Sequence, residues 1–153
     1  MIQNAVLDQP TDFARSYAEV QDFYARHFQL LEAGRAEEWA QTFTPDGYFH
    51  PEVLNEPVQG HAALAAGVRR THAELTAAGE QRRHWHGMVA VTRRDADTLD
   101  VRCYALIYAT PRGGSTALRM SCVCEDVLVY QDGELKIRER KVTRDDLTSC
   151  CAG

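Results

Sequence analysis

The sequence predicts an α+β fold, a curved antiparallel sheet wrapped around helices to form a conical pocket. Three observations lead there. Apolar residues recur at helical spacing in the segments before Gly79. After Gly79 the pattern changes to strand-like alternation. Asp132-Gly133 then sits between two alternating runs, the strongest short hairpin signal.

The elements follow in order. Phe13, Tyr17, Val20, Tyr24, Phe28 and Leu31 fall at steps of three and four, one helix face, with Thr11 or Asp12 to cap its start and Gly34 to end it. A short helix is expected around Glu37 to Phe43, then a turn at TPDG (44–47) and a short strand, Tyr48 to His50. Pro51 and Pro57 bracket an irregular link. HAALAAGVRRTHAELTAAG reads as a third helix with Leu64, Val68 and Leu75 on its buried stripe and Gly79 as its stop. WHGMVAVT, TLDVRCYALIYAT, TALRMSCVCEDVLVYQ and ELKIRERKV are four strands of an antiparallel meander. One domain over residues 11–146 is expected, with loose tails at 1–10 and 147–153.

Composition narrows the setting. A net charge of −5 argues against a nucleic-acid partner. No apolar run approaches membrane-spanning length and the first residues lack a signal-peptide pattern, so a cytoplasmic protein is expected. Five cysteines without CxxC spacing form neither a disulfide framework nor a metal pattern; they read as small buried hydrophobes.

A two-residue turn at Asp132-Gly133 fixes a register. It pairs Gln131 with Glu134, Tyr130 with Leu135, Leu128 with Ile137 and Asp126 with Glu139. The face bearing Leu128, Tyr130, Leu135 and Ile137 is then the pocket face, which sends Asp126, Cys124 and Glu139 inward. Two facing carboxylates would raise one pKa and make a candidate acid or base, unless an arginine such as Arg119 or Arg140 pairs with them. A bulge in the strand would reverse these faces. In RRHWHGM (82–88), alternation points His84 and His86 the same way and Trp85 the other. They are read as pocket histidines acting on protons rather than metal ligands, since no glutamate follows at the spacing a metal site wants. His50, with Tyr48 on its face, is a further candidate. His27 and His61 read as surface or capping residues, and His72 as a weaker pocket candidate. A nucleophilic role for Cys124 beside His84 would need an electropositive neighbour.

The order of elements resembles the nuclear transport factor 2-like superfamily, specifically its SnoaL-like polyketide cyclase branch. VQDFY, LLEAGRAEEWAQTFTPDG, PVQGHAAL, RHWHGM and DVLVYQDGELKIRERKV carry the likeness, over about residues 15 to 145. The resemblance implies a conical pocket for an apolar small molecule, no cofactor in most members, and frequent dimers. It also implies a catalytic histidine at His84 paired with a carboxylate at Glu32, where the family usually has aspartate. His50 lies near the place where related ketosteroid isomerases carry their base.

The expected function is therefore cofactor-independent acid–base chemistry of polyketide-type secondary metabolism: dehydration, cyclisation or isomerisation of an apolar cyclic intermediate. His84, Glu32, Asp126 and His50 are the catalytic candidates; His86, Tyr48, Cys124, Glu139 and Tyr104 are the substrate-binding ones, and no metal is assigned. The alternatives are a non-catalytic subunit of an oxygenase-type complex and a cofactor-free hydroxylase or epoxide hydrolase; the latter would draw on Asp126 and Arg119. Three helices can cover only one face of the sheet. Val89, Val91, Val127 and Val129 are assigned to the other, which predicts a homodimer through the sheet.

Overall fold

The computed structural model describes residues 10–147. The elements run α1 (Pro10–Glu32), α2 (Ala36–Ala40), β1 (Phe43–Pro51), β2 (Val58–Gln59), α3 (His61–Ala78), β3 (Glu80–Arg93), β4 (Thr98–Pro111), β5 (Ala117–Gln131) and β6 (Glu134–Arg144). The six strands form one curved, unclosed sheet in the order β2-β1-β6-β5-β4-β3. β3 to β6 make the expected meander, while β1 joins β6 in parallel. No helix is long and apolar enough to cross a membrane among the described residues.

Helix α1 already includes Pro10, so Asp12 sits in its first turn rather than capping it. It ends as the sequence indicates. Gly34 takes φ +71°, and the Arg35 and Gly34 amides bond back to the carbonyls of Leu30 and Leu31, satisfying two orphan acceptors of the last turn. The buried stripe is rotated from the expected one. Phe13 is exposed, and Ser16, Val20, Tyr24, His27 and Phe28 face the sheet. They pack on Leu99, Val101, Cys103, Cys124, Leu128 and Ile137 from the inner faces of β4, β5 and β6. In α3, Leu64 and Val68 are buried and Leu75 half-buried.

Three bulges decide which side chains reach that interior. In β1 the residues of TPDG do not turn the chain back. They loop out between Phe43, which pairs with Ile137, and Tyr48, which pairs with Glu139. In β3 the register slips between Gly87 and Ala90, with Met88 at φ +51°, a conformation that strains a residue with a side chain. His84 and His86 face inward as expected. After the slip, Val89 and Val91 turn inward too and pack against the core, so they do not lie on the uncovered face.

The third bulge lies in β6. The hairpin starts in the derived register, Gln131 with Glu134 through Leu128 with Ile137, and then Arg138 is skipped. Val127 pairs with Glu139 and Asp126 with Arg140. Asp126 therefore does not face Glu139. One extra residue moved the glutamate to the outer face and brought an arginine inside.

Candidate functional site

Helix α1 carries a negative partial charge at its C-terminal end, where a carboxylate is disfavoured unless donors surround it. Glu32, the last helical residue, is surrounded. Its Oε1 accepts the backbone N–H of His84 at 2.6 Å, and its Oε2 accepts Arg83 Nη1 at 2.8 Å. Its side chain is only 9% exposed. Burial alone would raise its pKa, but hydrogen bonds from His84 and Arg83 outweigh this and hold it below the usual carboxylate value. β3 is the sheet's edge, which lets Arg83, from the outer face, reach round to the helix end.

The His84 ring lies beside this carboxylate. Nδ1 stands 3.5 Å from Glu32 Oε1, an ion-pair distance rather than a hydrogen bond; it is buried and has no other partner. The ring stacks on Phe28 at 5.4 Å and 13°, and its side chain keeps 19% of its surface open. The two side chains are thus neighbours, though the carboxylate's close contact is with the His84 backbone. His86 follows two residues on. Its ring lies 3.9 Å from that of Phe28, and its Nδ1 is 3.3 Å from Cys103 Sγ. Burial first, then Arg140 and His84, push its pKa down to about 2, so it is neutral.

Beneath these rings lies a buried ion pair. Arg140 grips Asp126 with two parallel bonds, Nε to Oδ1 at 2.9 Å and Nη2 to Oδ2 at 2.7 Å. Tyr24 Oη donates to Oδ2 at 2.7 Å. Burial and the Asp126 charge raise the Tyr24 pKa well above its ordinary value. The third guanidinium nitrogen, Nη1, donates to His27 Nε2 at 2.7 Å, and the guanidinium carbon lies 5.2 Å from the Phe28 ring centre. Asp126 was expected as a proton carrier; its side chain is instead fully buried and occupied by Arg140 and Tyr24.

His27 was expected at the surface and is wholly buried. Its tautomer follows from its neighbours. Thr42 spends its hydroxyl proton on the Trp39 carbonyl at 2.6 Å, so Thr42 Oγ1 must accept from His27 Nδ1–H at 2.7 Å. Nε2 then has only a lone pair, which meets Arg140 and, at 3.2 Å, the Trp39 indole N–H. Burial, the Arg140 charge and the neighbouring histidines lower its pKa well below the ordinary value, in keeping with a neutral ring.

The family model for a SnoaL-like domain matches residues 12–141. The chain belongs to the SnoaL-like family. A Catenulispora acidiphila protein crystallised in complex with S-DNPA is 35% identical to this SnoaL-like chain; the match covers 87% of this chain and 96% of that one, with TM-score 0.77. ActVI-ORFA from Streptomyces coelicolor is 32% identical over 86% of this chain and 98% of its own, with TM-score 0.79. An NTF2-like protein with a cystatin-like fold from Novosphingobium aromaticivorans, 22% identical over 94% of each chain with TM-score 0.76, shares the fold. No curated protein matches the sequence.

The remaining candidates of this SnoaL-like chain separate by sheet face. Tyr48 and Glu139 are neighbours on the outer face, joined at 3.1 Å, and Tyr104 is exposed on the same side. His50 follows Tyr48 by two residues on that face and bonds the Leu54 carbonyl at 3.0 Å. None of these four joins His84, because the β6 bulge and strand alternation turn them away from the helices. Cys124 is inward but lies with Cys103 and His86 rather than beside His84. Arg119 is exposed and does not pair with Asp126. His61 bonds the Phe43 carbonyl at 2.9 Å, and His72 packs over Gly34, where an added Cβ would come within 2.5 Å of its ring. An open cleft of about 760 Å³ lies at the opposite end of α1, lined by Ser16, Glu19, Arg93, Arg94 and Tyr130.

Sequence reasoning missed His27; the alternative it left open, that Arg140 pairs with Asp126, is what the structure shows, with both side chains buried. His27 had a signal: it lies three residues after Tyr24 and four before Leu31, inside the apolar stripe. The facing of Arg140 depends on the β6 bulge, which no local pattern locates.

Proposed function

We propose that this chain is a cofactor-independent enzyme acting on an apolar cyclic intermediate of polyketide-type metabolism, with His84 as its proton carrier and Glu32 as the carboxylate that orients it. The observation that carries this reading is the His84 ring itself, stacked on Phe28, with Nδ1 buried toward Glu32 and part of the ring still open. A carboxylate on the Nδ1 side favours the tautomer with its proton there, leaving Nε2 to take a proton from carbon or return one to a departing oxygen. Tyr24, Phe28 and His86 occupy the interior, so substrate meets His84 from the ring's open side. Asp126 and His50 take no part in this chemistry; Asp126 keeps Arg140 neutralised beneath the site. Membership of the SnoaL-like family supports an apolar small-molecule substrate.

Dehydration, aldol cyclisation and isomerisation share one step, removal of a proton from carbon next to a carbonyl. The test follows that step. Cyclic hydroxyketones of polyketide type are incubated with the protein in deuterated water, and deuterium uptake and water loss are followed by mass spectrometry. The wild type should exchange that proton, and His84→Ala should lose about 10²- to 10⁴-fold of the rate. Full exchange by a folded His84→Ala protein would sink the assignment.

We further propose a homodimer closed by the outer face of the sheet. Trp85, 69% exposed, lies there with Tyr104 and Leu118, and no helix of the described chain covers them. An apolar area of this kind is ordinarily buried by a partner.

A further inference from the structure

Cys103 and Cys124 are direct partners across β4 and β5, both on the inner face and both buried. Their sulfurs and the His86 ligand nitrogen lie within 4.8 Å of one another. His86 Nδ1 is 3.3 Å from Cys103 Sγ. The acid–base reading above uses neither thiol.

We infer that Cys103 and Cys124 form an oxidisable pair, a modification site at which a small hydroperoxide closes a disulfide across β4 and β5. The two sulfurs are not equivalent. The neighbouring Cys124 thiol lowers the Cys103 pKa, and the neighbouring Cys103 thiol with burial raises that of Cys124. Cys103, the sulfur that His86 Nδ1 approaches at 3.3 Å, is assigned as the one oxidised first. A neutral His86 ring with its proton on Nδ1 would donate a hydrogen bond to the Cys103 thiolate as it forms.

The chemistry balances with hydrogen peroxide as oxidant. Cys103 releases its proton to solvent, and its thiolate attacks one peroxide oxygen. The O–O bond breaks, the leaving hydroxide takes up a proton to become water, and Cys103 becomes a sulfenic acid. Cys124 sulfur then attacks the Cys103 sulfur, the S–O bond breaks, and a second water leaves with the Cys124 proton. Two thiols lose two electrons and two protons, and one peroxide yields two waters. Closure would remove the thiol that His86 faces, on the strand adjoining the His84 wall. Burial sets the selectivity: Cys103 and Cys124 are 0% and 3% exposed, which excludes bulky reagents and leaves a small hydroperoxide as the oxidant.

The test treats the full native chain with hydrogen peroxide, blocks remaining thiols, and maps peptides without reduction. The expected result is a cross-link between the peptides carrying Cys103 and Cys124, with loss of two hydrogen atoms, reversed by a dithiol reductant. Cys122 is also buried but pairs with Ala105, so Cys122→Ala should retain the link. Cys103→Ala and Cys124→Ala should each lose it. His86→Phe keeps a ring against Phe28 and should slow the reaction. Bulky aromatic disulfide reagents should react with neither cysteine until denaturant is added. The inference is overturned if the native chain shows no link, if Cys122 supplies the second sulfur, or if linkage needs denaturant. The peptide map of the unaltered chain decides this even where a variant does not fold.

Discussion

His27 accepts a hydrogen bond from Arg140, 2.7 Å from Nε2 to Nη1, with both side chains buried. It is the only contact through which α1 supplies an acceptor to that guanidinium nitrogen among the bonds described, and it depends on an uncharged ring. Replacing His27 by leucine keeps much of the volume and removes the acceptor. A buried donor left unpaired costs about 1–3 kcal/mol, more when charged. Urea denaturation should show at least that loss with an unchanged slope; a stability equal to wild type would mean that water satisfies Nη1.

The Asp126–Arg140 pair should respond asymmetrically. Asp126→Leu alone strands a buried positive charge and should cost about 3–5 kcal/mol. Adding Arg140→Met removes the stranded charge, and the double variant should recover most of that loss. If the double variant is as unstable as the single one, the pair's packing rather than its charge holds this region together.

Burial also makes stability depend on pH. His27 and His86 are held below their ordinary value in the fold, His86 at about 2. Arg140, paired to Asp126, and the neighbouring His84 face them. Once unfolded, both titrate near 6.5 again. Below that value the unfolded chain binds protons that the folded chain refuses, so stability is fully present above pH 7 and falls with acid. Each group should contribute a slope of about 1.4 kcal/mol per pH unit between roughly pH 6 and 5. Denaturation midpoints across that window measure it, and His86→Phe should reduce the slope by one proton's share. A flat profile would mean that both rings are protonated in the folded state, and half the slope that one of them is.

The sequence showed the elements, the helix stops at Gly34 and Gly79, and the shared facing of His84 and His86, because each follows from local pattern. What it hid depends on single-residue slips. The β6 bulge at Arg138 exchanged Glu139 for Arg140 inside the sheet, and the β3 bulge at Met88 turned Val89 and Val91 inward. No hydrophobic pattern marks either slip, since the residues beyond each remain compatible with both faces until tertiary packing chooses. His27 was misplaced for another reason. A histidine is polar by type, and its burial is favourable because Thr42, Trp39 and Arg140 satisfy both ring nitrogens.

The proposed dimer should come apart when its apolar centre is charged. Trp85 pairs with Leu106 and lies two residues before Gly87, the partner of Tyr104. A glutamate at Trp85 or Tyr104 would be desolvated in a closed interface and hydrated in a monomer. Light scattering should give a dimer for wild type at micromolar concentration and a monomer for Trp85→Glu with unchanged secondary structure. A wild-type monomer would refute the assembly.

Glu32 and Arg83 supply the last prediction. The carboxylate sits at the disfavoured end of α1, and Arg83 and the His84 amide neutralise it. Glu32→Gln keeps the shape and loses the charge, so the His84 tautomer is less strongly held while the strand stays in place. Activity should fall by less than in His84→Ala, within the range of about 10² to 10⁴ expected for a lost acid–base group. Arg83→Met leaves the carboxylate with the His84 amide alone and should have a smaller effect of the same kind, with substrate affinity unchanged, because Arg83 acts only through Glu32. Nδ1 and Nε2 chemical shifts of His84 provide the decisive readout. In wild type they should report an Nδ1-protonated ring, and in Glu32→Gln a shift toward a mixture of tautomers. Identical spectra in both would show that the carboxylate holds the β3 backbone and does not orient the imidazole.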